Sequence, residues 1–329
     1  MLPRMEAASI PVLDGLPRTR HAADRFGDGL LYGLTAGAAA IGLLITAAIV
    51  WRVADGAWPA IREFHLAFLW HNEWNPVVSK FGARDLIIGT VVTSFGAVLL
   101  AAPVSIAIGL FLSELAPPSI RGPVGTLIEM LAAVPSVVIG LWGIYVLAPF
   151  DAQHVQPFLG RTLGWIPIFA HGQDKVESTV FTAIIVLTIM TIPITSSICR
   201  ELFIGVPTEL EEGSIGLGAT RWEMVKTVVV PSVRGGVVAA VILGLGRALG
   251  EAIAVTQVIG NFIPLKLSIL EPGDTIASRV ANQYQGAITN IQISALIYLA
   301  LILLVITFIT NVAAQRVVKR FEVQRTGGN

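Results

Sequence analysis

The sequence predicts an all-α, polytopic membrane protein with six transmembrane helices. The 329 residues are 54% hydrophobic and only 13% charged, with a mean hydropathy of +0.75. A soluble domain of this size needs far more charge on its surface. The apolar residues gather in six runs, each long enough to cross a hydrocarbon core of about 30 Å as a helix of about 20 residues. The predicted spans are Leu30–Val50, Leu86–Leu112, Val124–Pro149, Ser178–Ile198, Gly235–Gly260 and Ile291–Asn311.

Charge on the connecting segments predicts the orientation. With the N-terminus inside, the cytoplasmic segments carry 13 of the 22 Lys and Arg residues and the external loops carry 8. This excess predicts that both termini lie on the cytoplasmic side of a membrane. We expect residues 1–29 to form a cytoplasmic tail, without the cleavage site of a secreted precursor. Residues 30–85 would hold the first helix and an external loop, 86–314 the transmembrane domain, and 315–329 a second cytoplasmic tail.

Several kinds of site are excluded by composition. Acidic and basic residues are equal in number, 22 of each, which argues against a nucleic-acid-binding face. The single cysteine, Cys199, has no partner for an internal disulfide. The histidines of the external loops are scattered along the sequence, which favours ordinary surface positions over a metal site. No G-x-x-x-x-G-K-[ST] loop is present to bind ATP phosphates. We therefore expect no catalytic residue, metal or cofactor on this chain.

The fifth predicted span carries two charges and a stripe of small residues. Arg247 and Glu251 are expected near its middle, on nearly the same face as small residues that recur at every fourth position and allow close helix packing: Gly236, Ala240, Gly244 and Ala248. Charges at that depth cost roughly 2.5–3.5 kcal/mol each and should face protein or water. Two interpretations stay open. The charges form a self-neutralising i,i+4 ion pair, or Arg247 marks a passage point for an oxyanion.

Prolines are expected to interrupt backbone hydrogen bonding inside three spans. Pro135 lies in the third span, and Pro103 and Pro193 lie in the second and fourth. Simple packing kinks and a role in a pathway are both compatible with this pattern. Glu129, nearer the inner surface, is expected to be a structural partner of a basic residue.

A polar insert, residues 207–231, separates the fourth and fifth spans. Gly216 and Gly218 predict a flexible turn within it, and Pro231 is expected to end its second helix. In two places a threonine precedes a glutamate by three positions, which predicts two capping boxes, each at the start of a short helix. The two pairs are Thr208 with Glu211 and Thr220 with Glu223. A compact helix–turn–helix at a membrane surface is typical of a docking element for another protein.

The insert resembles the EAA loop of binding-protein-dependent ABC importer permeases. That pattern is Glu-Ala-Ala, three residues, Gly, nine residues, then Ile-x-Leu-Pro. It is matched in spacing, with glycine and serine for the alanines and valines for Ile and Leu, by Glu212, Gly213, Ser214, Gly218, Val228, Val230 and Pro231. The resemblance implies the type I ABC importer permease fold. It also implies an ATPase-coupling loop that contains Glu211, Glu212, Gly213, Ser214, Gly218, Ala219, Thr220 and Pro231.

Three further motifs resemble the PstC-type permeases of phosphate-specific importers: Glu73–Pro76, Leu131–Gly143 and Gly244–Asn261. This resemblance implies inorganic phosphate as substrate and three partners, namely a PstA-like permease, a PstB-like ATPase dimer that uses ATP and Mg²⁺, and a PstS-like phosphate-binding protein. Arg247 would contact the anion transiently, and Glu251 would keep that site from becoming a trap. Alternatives are an importer of another oxyanion such as sulfate or molybdate, a secondary transporter or channel, and a phosphate-sensing membrane component.

Overall fold

A computed structural model describes residues 22–170 and 176–326. They fall into two compact units, one ending at Arg52 and the other beginning at Val53. Within the described ranges, six helices are long and apolar enough to cross a membrane, which confirms the predicted class and number of spans. Most of the predicted N-terminal tail, residues 1–21, and the external His171 lie outside the described residues.

The helices in chain order are α1 (Ala22–Phe64), α2 (Arg84–Leu110), α3 (Pro118–Ala132), α4 (Ser136–Trp142), α5 (Ala148–Phe150), α6 (Gln156–Leu163), α7 (Val180–Ile204), α8 (Thr208–Gly216), α9 (Arg221–Met224), α10 (Val230–Gly250), α11 (Ile253–Val258), α12 (Ile276–Gln283) and α13 (Asn290–Thr326). In the described ranges, one π-helical turn extends α2 and three others join α4 to α5, α5 to α6, and α9 to α10. In that order they are Phe111–Leu115, Gly143–Leu147, Asp151–Val155 and Val225–Val229. Two-residue strands, β1 (Trp74–Asn75) and β2 (Lys80–Phe81), pair as an antiparallel hairpin. Short 3₁₀ turns cover His65–Leu69 and Pro167–Phe169.

The third predicted span, Val124–Pro149, is wrong as a single helix. The chain leaves helical structure after Ala132 and resumes at Ser136, so the membrane-length segment runs from Ser136 to Leu163. Pro135 causes the break, because proline has no N–H to donate and disfavours a helical residue before it. Pro103 and Pro193, by contrast, lie inside α2 and α7 and do not end them.

The fifth predicted span, Gly235–Gly260, is also displaced. The helical segment begins at Arg221 and ends at Gly250, and Glu251 follows with extended dihedral angles, φ −72° and ψ 119°. Pro231 does not end a helix as predicted. It lies in the first turn of α10, directly after the π-helical turn Val225–Val229, and the helical segment continues through it.

Helix α7 is the central element of the described bundle, since α2 and α10 both pack closely against it. A methyl group added to Gly109 of α2 would stand 2.9 Å from the Cys199 Cβ of α7. One added to Gly244 of α10 would stand 2.7 Å from Thr195 Oγ1. The predicted close approach along the small-residue stripe is therefore confirmed, and the neighbouring helix is α7.

The hairpin lies on a separate apolar cluster at the ends of α2, α12 and α13. Phe68 and Phe81 are almost fully buried there, and the Phe68 ring stacks on Tyr298 with centroids 4.6 Å apart. The predicted structural role of Glu129 fits its ion pair with Arg200 of α7, at 3.6 Å between Oε1 and Nη1.

Candidate functional site

Two regions contain the predicted site residues: the insert between α7 and α10, and the break after α10. In the insert, the second predicted capping box is confirmed. The Thr220 N–H donates to Glu223 Oε2 at 2.8 Å, and the Glu223 N–H donates to Thr220 Oγ1 at 3.3 Å. The first predicted box is wrong because Pro207 occupies the N-cap position of α8, so Thr208 is already helical and makes no capping bond.

A Schellman turn follows α8 and reverses the chain into α9. The Ala219 N–H donates to the Ser214 carbonyl at 3.2 Å, and the Gly218 N–H donates to the Ile215 carbonyl at 2.9 Å. Gly218 has a φ of +90°. This left-handed conformation is the one that favours glycine at the residue after a helix C-cap. The glycine of the EAA-like pattern is therefore required by the backbone of the turn.

Apolar side chains on this insert are exposed although the insert is otherwise polar. Leu217 is 92% exposed and Trp222 is 69% exposed, with Ile215 exposed beside them. Glu212 is exposed as well and has no ion pair with another described residue. Apolar groups grouped on a turn and rimmed by charge are typical of a protein-binding surface.

The environments of three other predicted coupling residues differ. Glu211 is half-buried, and burial together with the nearby Glu114 carboxylate raises its pKa. Gly213 lies within α8, and a methyl group added there would meet nothing within 4 Å. Pro231 belongs to α10 rather than to the insert.

Arg247 and Glu251 do not share a helical face, because α10 ends between them. Arg247 lies in the last turn of α10, not near the middle of a span, and its side chain is exposed. Within the described residues it has no ion pair. Glu251 Oε1 instead accepts from the Ala254 N–H at 3.4 Å, at the start of α11. The cationic side chain of Arg247 therefore lies at the break in the helix, and the carboxylate of Glu251 contacts the next helix instead of Arg247.

Sequence reasoning missed the polar contacts that surround this break. The Thr256 hydroxyl donates to the Ala252 carbonyl at 2.7 Å, and the side chain of Asn261 contacts both the Thr256 carbonyl and Ser278. Asn261 is the last residue of the Gly244–Asn261 motif and was therefore noticed in the sequence. Nothing in the sequence near an asparagine in a turn predicts a hydrogen bond to a residue as distant as Ser278. Among the described residues, no group of three or more potential metal ligands is present.

A buried ion pair next to these contacts was also missed. Arg279 Nη2 lies 2.6 Å from Asp274 Oδ2, and both side chains are almost fully buried. Burial raises the pKa of Asp274 and lowers that of Arg279, while each partner's charge opposes the shift of the other. The Arg279 guanidinium also lies over the Trp74 ring, 5.8 Å from its centroid. The pair therefore joins α12 to the hairpin.

Comparisons with known proteins agree with these features. Residues 105–323 match the family model of the binding-protein-dependent transport system inner membrane component. The phosphate transport system permease protein PstC of Pasteurella multocida is 43% identical over 85% of this chain and 88% of its own length. The protein of the same name from Mesorhizobium japonicum is 39% identical over 96% and 99%.

Solved structures show the same fold at lower identity. A chain of a bacterial alginate ABC transporter in complex with an alginate-bound periplasmic protein aligns with a TM-score of 0.56 and 20% identity, over 91% of this chain and 99% of the other. A chain of the MetNI methionine ABC transporter in an inward-facing conformation aligns with a TM-score of 0.53 and 17% identity, over 73% and 95%. With six candidate spans and these matches, the chain is a multi-pass inner-membrane protein that belongs to the binding-protein-dependent transport system inner membrane component family, in its PstC-type branch.

Proposed function

We propose that this chain is a permease subunit of an ATP-driven importer of inorganic phosphate and forms half of its translocation pathway. The observation that carries the proposal is its similarity of 39–43% identity, over most of its length, to relatives named PstC phosphate transport permeases. Its relatives are transport subunits rather than enzymes. By the same similarity, the second half of the pathway comes from a PstA-like permease.

Energy would enter through the insert. ATP and Mg²⁺ would bind to a PstB-like ATPase dimer, and this chain would contribute no cofactor site of its own. The exposed Leu217 and Trp222 side chains would enter a groove on the ATPase, with Glu212 at the rim. The Schellman turn at Gly218 fixes how these groups are presented. Closure of the ATPase dimer would then move α8 and α9, and through the π-helical turn the whole of α10.

The anion would pass near Arg247. We also propose that both termini lie in the cytoplasm, so that the insert would face the ATPase. Arg247 lies 26 residues beyond Arg221 along one helical segment, about 39 Å at about 1.5 Å per residue. Arg247 would then lie toward the external end, where a PstS-like protein would release phosphate. The guanidinium of Arg247 is exposed and forms no ion pair with another described residue, so it can attract an anion. Glu251 is held by α11, and its negative charge beside the break limits how tightly the anion binds.

Uptake of labelled phosphate by the complete complex in proteoliposomes tests the proposal. We expect ATP-dependent uptake that unlabelled phosphate inhibits and that sulfate and molybdate do not inhibit. Inhibition by another oxyanion would overturn the substrate while keeping the permease role. Absence of ATP-dependent uptake in an assembled complex would favour a phosphate-sensing component, and uptake that survives ATP depletion would favour a secondary transporter.

A pair of variants tests the role of Arg247. Arg247→Gln should lower phosphate uptake by at least about tenfold, the scale of one charge-assisted contact. The control is Arg316→Gln, which removes an exposed arginine from the distal part of α13. Equal uptake by the two variants, in complexes assembled to the same extent, would show that Arg247 does not contact the anion.

A further inference from the structure

Both polar atoms of the Asn261 side-chain amide form hydrogen bonds, and the two bonds reach different helices. Its Nδ2 donates to the Thr256 carbonyl of α11 at 2.8 Å. Its Oδ1 accepts from the Ser278 hydroxyl of α12 at 2.9 Å. The backbone of Asn261 has a φ of +52°, a left-handed conformation that asparagine tolerates better than most residues. This position therefore needs an amide, since a carboxylate cannot donate to the carbonyl.

Helix α11 is the element that this amide holds in place. It contains only six residues, from Ile253 to Val258, and a helix that short is not stable by itself. Its first turn supports the break, because the Ala254 N–H donates to Glu251 and the Thr256 hydroxyl donates to the Ala252 carbonyl. Asn261 binds its opposite end. The position of the break thus depends on how α11 is anchored.

Helix α12 supplies a fixed reference for this anchor. The Thr275 hydroxyl caps its first turn by accepting from the Ser278 N–H at 3.2 Å. The buried ion pair of Arg279 with Asp274 holds the same turn. At the far end of α12, the Trp74 indole donates to Gln283 Oε1 at 2.7 Å. The Ser278 hydroxyl that meets Asn261 therefore projects from a helix that is held at both ends.

We propose that Asn261 is a positioning residue for anion passage. It contacts no substrate. Through α11 it fixes Glu251 and the end of α10, and so sets the place of Arg247 relative to the pathway. The inference rests on the proposed function, since the step that Asn261 would affect is the passage of phosphate past Arg247.

Asn261→Asp tests this idea because it keeps the shape and the acceptor and replaces the donor with an oxygen that faces the Thr256 carbonyl. We expect the maximal rate of phosphate uptake per assembled complex to fall by about tenfold, the scale of one buried hydrogen bond. The concentration of phosphate-loaded binding protein that gives half-maximal uptake should stay unchanged. The control is Asn282→Asp, which makes the same change at an exposed position on α12.

Two further measurements separate positioning from a general loss of structure. A protonated aspartic acid at position 261 can again donate a hydrogen bond to the Thr256 carbonyl. The uptake rate of Asn261→Asp relative to the wild type should therefore rise as the pH is lowered from 8 to 6, and that of Asn282→Asp should not. Ser278→Ala, a milder change, should lower the maximal rate by about threefold. Its control is Ser294→Ala, at a buried serine of α13 that makes no side-chain hydrogen bond to another described residue.

The outcomes distinguish the two proposals. A wild-type complex that takes up no phosphate refutes the proposed function, and this inference with it. A wild-type complex that takes up phosphate, with Asn261→Asp and Ser278→Ala as active as their controls, refutes the inference alone. A change in the half-saturating concentration without a change in maximal rate also refutes it, because that result places Asn261 in docking rather than in passage.

Discussion

The turn at Gly218 allows a prediction in which two glycines of one insert respond in opposite ways to the same added methyl group. At Gly218 and at Gly213, a Cβ atom would meet nothing within 4 Å. Steric overlap therefore plays no part in either change. What differs is the backbone, because Gly218 has a φ of +90° and Gly213 lies within α8.

The expected magnitudes follow from that difference. A left-handed conformation costs an L-residue about 1–2 kcal/mol, so Gly218→Ala destabilises the turn by that amount. If docking to the ATPase needs the folded turn, the dissociation constant rises about 5- to 30-fold. Gly213→Ala instead favours the helix by about 1 kcal/mol, since alanine has the higher helix propensity. Its affinity for the ATPase should stay equal to the wild type or increase.

Binding of the purified ATPase to the permease pair in nanodiscs measures both constants, with ATP hydrolysis by the assembled complex as a second readout. We expect Gly218→Ala to weaken binding and to lower the coupled ATPase rate, while Gly213→Ala retains both. Dissociation constants within twofold of each other for the two variants would refute the argument, because the strain at Gly218 would then have no bearing on docking.

Three other predictions concern the stability of the assembled complex. Gly244→Ala should lower its thermal midpoint more than Gly236→Ala, because the new methyl group meets a β-branched threonine in the first case and the movable tip of a leucine in the second; equal midpoints would contradict this packing argument. Arg279→Met should cost about 3–5 kcal/mol by leaving Asp274 buried and unpaired, and the added change Asp274→Leu should restore most of the assembled complex in a size-exclusion profile. The folded insert raises the pKa of Glu211, so the ionised carboxylate is less stable there than in the unfolded chain, and the stability of the insert falls as pH rises through that pKa. Glu211→Gln should therefore raise the thermal midpoint of the complex at pH 8 and leave it unchanged at pH 4.

The local features of the insert were predictable from sequence because their partners lie within a few positions. Thr220 and Glu223 cap one helical turn, and Gly218 bonds to a carbonyl three residues earlier. The failure at Thr208 is instructive, since the pattern alone did not show that Pro207 would occupy the cap. A residue-spacing rule identifies candidates for a cap, and the backbone angles decide which residue becomes one.

The number of membrane-spanning helices was determined by the sequence alone, because a long apolar segment that crosses a bilayer satisfies its own backbone groups by remaining helical for about 20 residues. Where those helices end was decided by the tertiary structure. Gly250 and Glu251 lie inside an apolar run, yet the chain leaves the helix there, where Glu251 accepts from the Ala254 N–H and Asn261 joins α11 to α12. Hydropathy records the preference of each residue for lipid, whereas a break in a span requires polar partners that only folding brings near.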